Sequence, residues 1–89
     1  MGSYELMARY DSAKSFYRKA IVYVMSEDSK VLYSYDKMVA EISEGEAMVY
    51  DTYSNTTLRH IKEFLKQAGF EADTKRQIEA DYMMQKGGQ

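Results

Sequence analysis

Residues 53–70, Tyr-Ser-Asn-Thr-Thr-Leu-Arg-His-Ile-Lys-Glu-Phe-Leu-Lys-Gln-Ala-Gly-Phe, carry a start signal, an amphipathic body and a stop signal for one helix. Asn55 and Thr56 have side-chain oxygens that can accept an orphan backbone N–H, so they predict a helix that starts there and runs over 57–68. Leu58, Ile61, Leu65 and Ala68 fall on one stripe, with Phe64 at its edge. Gly69 stands where the left-handed residue after a helix belongs, and Phe70 follows in the position that closes a Schellman stop.

Upstream of this helix the period changes from 3.6 to 2. Residues 16–25 read as a strand, with Ala20, Val22 and Val24 on one face and Ile21, Tyr23 and Met25 on the other. Both faces are apolar, which predicts a central strand or one covered on both sides. A turn at residues 26–29 leads to a second strand over 30–35, with Val31, Tyr33 and Tyr35 on one face and Leu32 and Ser34 on the other. Asp36-Lys37 makes a tight turn or a bend, and Met38, Ala40 and Ile42 continue the alternation. Glu44-Gly45 reads as a hairpin turn, because glycine accepts positive φ cheaply, and residues 47–53 follow as a last strand. Downstream, Thr74 and Gln77 match a capping box for a second helix over 75–84, with Ile78 and Tyr82 on its narrow apolar stripe. The predicted fold is therefore α+β: an antiparallel meander of three to four strands followed by two helices. Residues 1–14 read as an N-terminal segment, 15–85 as the domain and 86–89 as a frayed tail. Met1-Gly2-Ser3 has the composition of an expression remnant, with Met7 as a candidate native start.

Composition narrows the chemistry. The 89-residue chain contains no cysteine and one histidine, so thiolate nucleophiles, disulfides and a zinc site built on cysteine or on several histidines are excluded within one chain. The longest apolar run, residues 20–25, is far short of the roughly 20 residues that cross a bilayer, and no leader pattern opens the sequence. These features predict a cytoplasmic protein with no membrane partner, no cofactor and no metal. The net charge of −2 is unevenly spread. Residues 9–19 carry +3 and residues 57–76 carry +2, whereas residues 26–54 carry −5. Such a division favours oriented docking on a charged partner, although a solvated surface with incidental clustering has the same appearance.

Arg59, Lys62 and Lys66 form a positive stripe on the first helix, suited to phosphates or to an acidic patch, and equally the ordinary wet face of an amphipathic helix. His60 is expected on the surface, with Glu63 one turn away as a pairing partner. The hydroxyls of Ser54, Thr56 and Thr57 are explained by capping. With no set of nucleophile, base and oxyanion donor in sight, no enzyme is expected and no catalytic residue is assigned. Nine tyrosines favour a binding surface, and Tyr33 and Tyr35 would form a recognition platform on an uncovered sheet face. The acidic Glu44, Glu46 and Asp51 would flank it.

Three pieces carry a resemblance. They are Leu32-Tyr33-Ser34-Tyr35 with Val39-Ala40-Glu41-Ile42, the block Ser-x-Thr-Thr-x-Arg-His-Ile-x-x-Phe-Leu at residues 54–65, and Gly69-Phe70 followed by Thr74-Lys75-Arg76-Gln77-Ile78. Together they resemble a family of small uncharacterised proteins from phages and mobile elements of Gram-positive bacteria, over roughly residues 10–84. The resemblance implies an accessory protein of the host-cell cytoplasm and transfers no catalytic residue. Small phage proteins of this size include inhibitors of host defence such as anti-CRISPR proteins, a link by analogy. The leading expectation is a non-catalytic protein that binds a host or phage protein, in the form of an inhibitor of a defence nuclease. The alternatives are a nucleic-acid binder using Arg9, Lys14, Arg18, Lys19, Arg59, Lys62 and Lys66, and a homodimer joined through Ile78, Tyr82 and Met83.

Overall fold

The computed structural model describes residues 2–52 and 54–83. Five strands form one antiparallel meander in sequence order: β1 (Gly2–Glu5), β2 (Ala20–Ser26), β3 (Ser29–Ser34), β4 (Lys37–Ser43) and β5 (Glu46–Val49). Two helices follow, α1 (Asn55–Gln67) and α2 (Lys75–Tyr82). The α+β class and the order of sheet then helices are as the sequence predicts, with five strands rather than three or four. The additional strand is β1, which pairs with β2 through Tyr4 opposite Val22. It carries little apolar alternation of its own, so its strand state comes from the partner edge and not from its sequence.

Three two-residue turns join β2 to β5. Ser26 pairs with Ser29, Ser34 with Lys37, and Ser43 with Glu46. Gly45 at the last turn has φ 81°, and Glu44 beside it has φ 53°. The first predicted strand begins late. Residues 16–19 are not part of β2, because Tyr17 and Arg18 adopt left-handed φ of 55° and 66°, and the chain turns there. In β4 the expected alternation also breaks. Leu32 faces Ala40 but Tyr33 faces Met38, so Val39 is an extra residue in the ladder. Val39 and Ala40 are both buried as a result, and Met38 turns outward.

Helix α1 lies on one face of the sheet. Its N-cap is Ser54, one residue before the expected pair: Ser54 Oγ accepts from Thr57 N–H at 3.1 Å. Leu58, Ile61, Phe64 and Leu65 are buried against Val22, Leu32, Val39 and Ala40 in one continuous core. Each such side chain contributes roughly 1.5–3 kcal/mol of transfer free energy. The stop is the predicted one. Phe70 N–H donates to the Leu65 carbonyl at 2.9 Å, Gly69 N–H donates to the Lys66 carbonyl at 3.0 Å, and Gly69 has φ 90°.

Helix α2 packs beside β5. Ile78 is fully buried in the same core, and Tyr82 and Met83 pack against it. These three side chains, expected at a dimer seam, therefore contribute to this chain's own fold. Thr74 caps as predicted, accepting from Gln77 N–H at 3.1 Å, but the return bond goes to Asp73 N–H rather than to Thr74. Tyr53, Met84 and the tail at 86–89 lie outside the described residues.

The N-terminal loop is tied down by one buried carboxylate. Glu63 is 1% exposed and accepts from the backbone N–H groups of Arg9, Tyr10 and Asp11 at 2.9, 2.8 and 3.0 Å. Gln67 Nε2 donates to the same carboxylate and to the Met7 carbonyl. A buried charge is tolerable only when its hydrogen bonds are supplied, and here the loop backbone supplies them. Leu6 and Phe16 at the two ends of the loop are buried in the core.

Glu63→Ala would leave these loop N–H groups without their acceptor. A loss of about 3 kcal/mol in urea unfolding is expected. Gly69→Ala, which forces a β-carbon into left-handed backbone in open surroundings, should cost about 1 kcal/mol in the same measurement.

Candidate functional site

The helices cover one face of the sheet. Along the strands, Ala20, Val22, Leu32, Ser34, Ala40, Ile42 and Val49 point to them and are buried. The alternate positions form the other face, over which no described element lies. Of the two readings of the doubly apolar strand, the central position is the one observed: β2 lies between β1 and β3, and α1 and α2 both pack on the same side of the sheet. Ile21, Tyr23, Met25, Val31, Tyr33 and Met48 make the centre of this open face, with Tyr23 41% and Met25 57% exposed. The rings of Tyr23 and Tyr33 meet edge to face, centroids 5.1 Å apart. Met38 opposite Tyr33, and Tyr50 at the margin, extend the surface.

The charged side chains among the ladder positions of this face are carboxylates: Glu5 opposite Ile21, Glu41 opposite Val31, and Glu46 opposite Ser43. Tyr50 donates from its hydroxyl to Glu41 at 2.8 Å, which orients that carboxylate at the margin. Burial, together with Glu41, raises the Tyr50 pKa above the ordinary phenol value. Glu44 and Glu46 meet at one corner, where with Glu41, Ser43 and Met48 they line a shallow groove of about 270 Å³.

The residues singled out from sequence separate into different places. Tyr33 is on the open face as expected. Tyr35 is not: it occupies the β3–β4 turn with φ 61°, and its ring lies 6.0 Å from that of His60 on the helix side. Asp51 is paired with Lys37 at 2.8 Å. The Arg59 fork grips Asp11, with Nε donating to Oδ2 at 2.9 Å and Nη2 to Oδ1. That pair, with its hydrogen bonds, holds the Asp11 carboxyl down at about 2. Lys62 and Lys66 continue along α1 beside Tyr10, half-buried rather than fully solvated.

His60 and Glu63 are not a surface pair. His60 is 1% exposed, its ring against Phe16 with centroids 4.6 Å apart. Its Nδ1 lies 2.8 Å from Ser34 Oγ, which lies 3.0 Å from Thr57 Oγ1. This buried chain of two hydroxyls and an imidazole fastens α1 to β3. Ser34 is itself enclosed. Burial, reinforced by the nearby Arg59 and Lys19 cations, lowers the His60 pKa to about 4, so the ring is neutral at physiological pH. No group of three or more His, Asp or Glu residues suited to a metal ion occurs among the described residues. No helix among them is long and apolar enough to cross a membrane.

A second concavity lies between the loop before β2, the β3–β4 turn and the start of α1. It is a cleft of about 260 Å³ lined by Phe16, Tyr17, Lys19, Tyr35, Arg59 and His60, among others. Of this group Arg59 and Tyr35 were expected to contact a partner, and Lys19 only in the nucleic-acid alternative. Nothing in the sequence periodicity brings residues 16–19, 35 and 59–60 together, because the loop and turn that do so are held by left-handed residues.

With the fold and these surfaces in place, the chain's affiliation follows. It belongs to a family of unknown function, DUF8033, whose model matches residues 4–80. The match begins inside β1, so the N-terminal strand and loop are part of the family's domain. No curated protein and no solved structure matches the chain.

Because the folded-state pKa of His60 lies below that of the unfolded chain, acid favours unfolding. The stability provided by neutral His60 is complete above about pH 6.5 and is lost as pH falls towards 4, on the order of 3 kcal/mol in all. Asp11 acts in a separate window, losing its contribution only between about pH 3.8 and 2. In urea unfolding, His60→Gln should flatten the fall in stability between pH 6.5 and 4.5 relative to the unaltered protein. An unchanged slope would assign that fall to other groups.

Proposed function

We propose that the protein is a non-catalytic binding module whose open sheet face receives a partner protein. The observation that supports this reading is the composition of that face: an apolar and aromatic centre whose ladder charges are all carboxylates. Five strands about 4.8 Å apart and about six residues long make a face of roughly 500 Å². Patches of that size on a monomer mark interaction sites, and tyrosine and methionine are the residue types enriched in interface centres.

The carboxylates select the occupant. Glu5, Glu41 and Glu46 favour a partner surface with an apolar knob ringed by lysine or arginine. They disfavour a nucleic-acid backbone on this face, and they would oppose each other if two copies met face to face. Proteins that handle nucleic acid present basic surfaces of this kind. An inhibitor of a nuclease, of the type made by phages and mobile elements against host defence, is the form of this function we favour. The expected acidic contacts Glu44 and Glu46 lie at one corner of the same face, whereas Lys62 and Lys66 are on the helix side and outside the contact.

A photo-crosslinking amino acid at position 23 or 33, compared with one at position 66, tests this in the source cell. The expected result is one heterologous adduct from 23 and 33 and none from 66. Binding of that purified partner should weaken about 30-fold with Tyr33→Ala and fall with rising salt. Adducts only with a second copy, only with residues 84–89 of the same chain, or equally from all three positions would overturn the reading.

A further inference from the structure

The cleft beside His60 is built from backbone that resists being built. Four non-glycine residues have left-handed φ: Tyr17, Arg18, Tyr35 and Glu44. All four stand at the centre of tight turns that need such a φ: Glu44 and Tyr35 in hairpin turns, and Tyr17 with Arg18 in the turn closed by Lys19 N–H donating to the Phe16 carbonyl at 2.9 Å. Two of these turns border this one cleft, and Tyr17 and Tyr35 line it. Each costs on the order of 1 kcal/mol or more for a residue with a bulky side chain. Glycine or asparagine would adopt the same backbone more cheaply. Nor does packing compensate, since Tyr17 is 68% and Tyr35 50% exposed. The turns therefore carry two largely exposed tyrosine rings at the lip of a cavity, at positions that glycine or asparagine would fill more cheaply.

The rest of the lining defines what would sit there. Lys19 Nζ stands 5.7 Å from the centre of the Tyr35 ring, so a cation and an aromatic face are presented together. Lys14 and Arg18 are exposed nearby in the same basic segment, and Asp11, the acid of that segment, is engaged by Arg59. At the floor, His60 has its Nδ1 turned to Ser34. The opposite edge of the imidazole carries Nε2, a buried polar atom for which the described residues provide no hydrogen-bond partner. A buried polar group of this kind calls for one. The volume of about 260 Å³ is below the roughly 300–1,000 Å³ of pockets that enclose a whole ligand, so the cleft takes one planar group with its substituents outside.

We infer that this cleft is a binding site for a nucleotide, with the base packed against the Tyr35 and Tyr17 rings, its polar edge meeting His60 Nε2, and the phosphate held at the lip by Lys19. The site shares no residue with the open sheet face, so either assignment can fail without the other. A free mononucleotide and a nucleotide within a single strand offer the same base and phosphate, and the experiment separates these sources.

The full chain contains no tryptophan and nine tyrosines, two of which line the cleft, so tyrosine fluorescence detects binding and the His60 signal locates it. Titrations would use adenosine 5′-monophosphate, adenosine, and a short single-stranded oligonucleotide, with the ¹⁵N signal of His60 Nε2 followed in parallel by NMR. The monophosphate should bind more tightly than adenosine and shift the His60 signal. A tighter fit for the oligonucleotide assigns the strand as source, and a weaker one assigns the free nucleotide. Tyr35→Gly is the decisive variant. It relieves left-handed strain, so unfolding stability should be kept or raised, while affinity falls about tenfold. Lys19→Ala should weaken the monophosphate and leave adenosine unchanged. No saturation by any probe up to about 10 mM, or affinities untouched by both variants, would overturn the assignment.

Discussion

The seat of α1 on the sheet is the interaction from which the remaining features follow. Leu58, Ile61, Phe64 and Leu65 remove one stripe of the helix from water against β2, β3 and β4. That burial is non-directional and would tolerate sliding. Three polar residues on the same helix remove the freedom. His60 and Thr57 reach Ser34 on β3, which fixes the helix along the strand direction. Glu63 turns to the opposite flank and gathers the loop backbone at residues 9–11. The second contact holds the loop that follows β1, so two successive helical turns carrying the three residues organise elements some 50 positions apart in sequence.

This seat also determines what is left over. The connections are short, and both helices leave from the β5 side, so both settle on one face. An antiparallel sheet can present its second face to water, and such faces are ordinarily polar. Here the second face has tyrosine, methionine, valine and isoleucine at its centre. The charges at its ladder positions have one sign, whereas the loop before β2 carries the other. The molecule thus separates an acidic, apolar surface from a basic, aromatic cleft. Each has its own physical character.

Much of the fold was legible from periodicity and from turn chemistry. The helix body, its glycine stop, the second helix and the hairpin at Glu44-Gly45 each follow from residues a few positions apart, whose interactions are local. Where the reading failed, the deciding contact was distant. β1 has too little alternation to declare itself and exists because β2 offers an edge. Val39 enters the core as an extra residue because the turn at Tyr35 sets a register that alternation alone does not encode. Tyr35 was placed with Tyr33 by counting in twos, and its left-handed φ sends it to the other side. His60 and Glu63 look like solvent-facing polar residues beside an apolar stripe. They are buried because Ser34, Phe16 and the loop backbone come to meet them, which no local pattern announces.

The candidate sites divide in the same way. The aromatic and apolar residues of the open face were visible as one side of a strand. Which side stays open became clear only when both helices were seen to occupy the other. The cleft of Tyr17, Lys19, Tyr35 and His60 was invisible, since it is assembled from three segments by strained turns. By itself, the sequence determined which segments are strand and helix, where each helix stops, and that no thiol or metal chemistry built on cysteine is available, because those properties rest on side-chain type and short-range geometry. The tertiary structure alone decided which face is covered, which polar groups are buried and which residues share a cavity, because those depend on contacts between segments that the chain brings together only on folding.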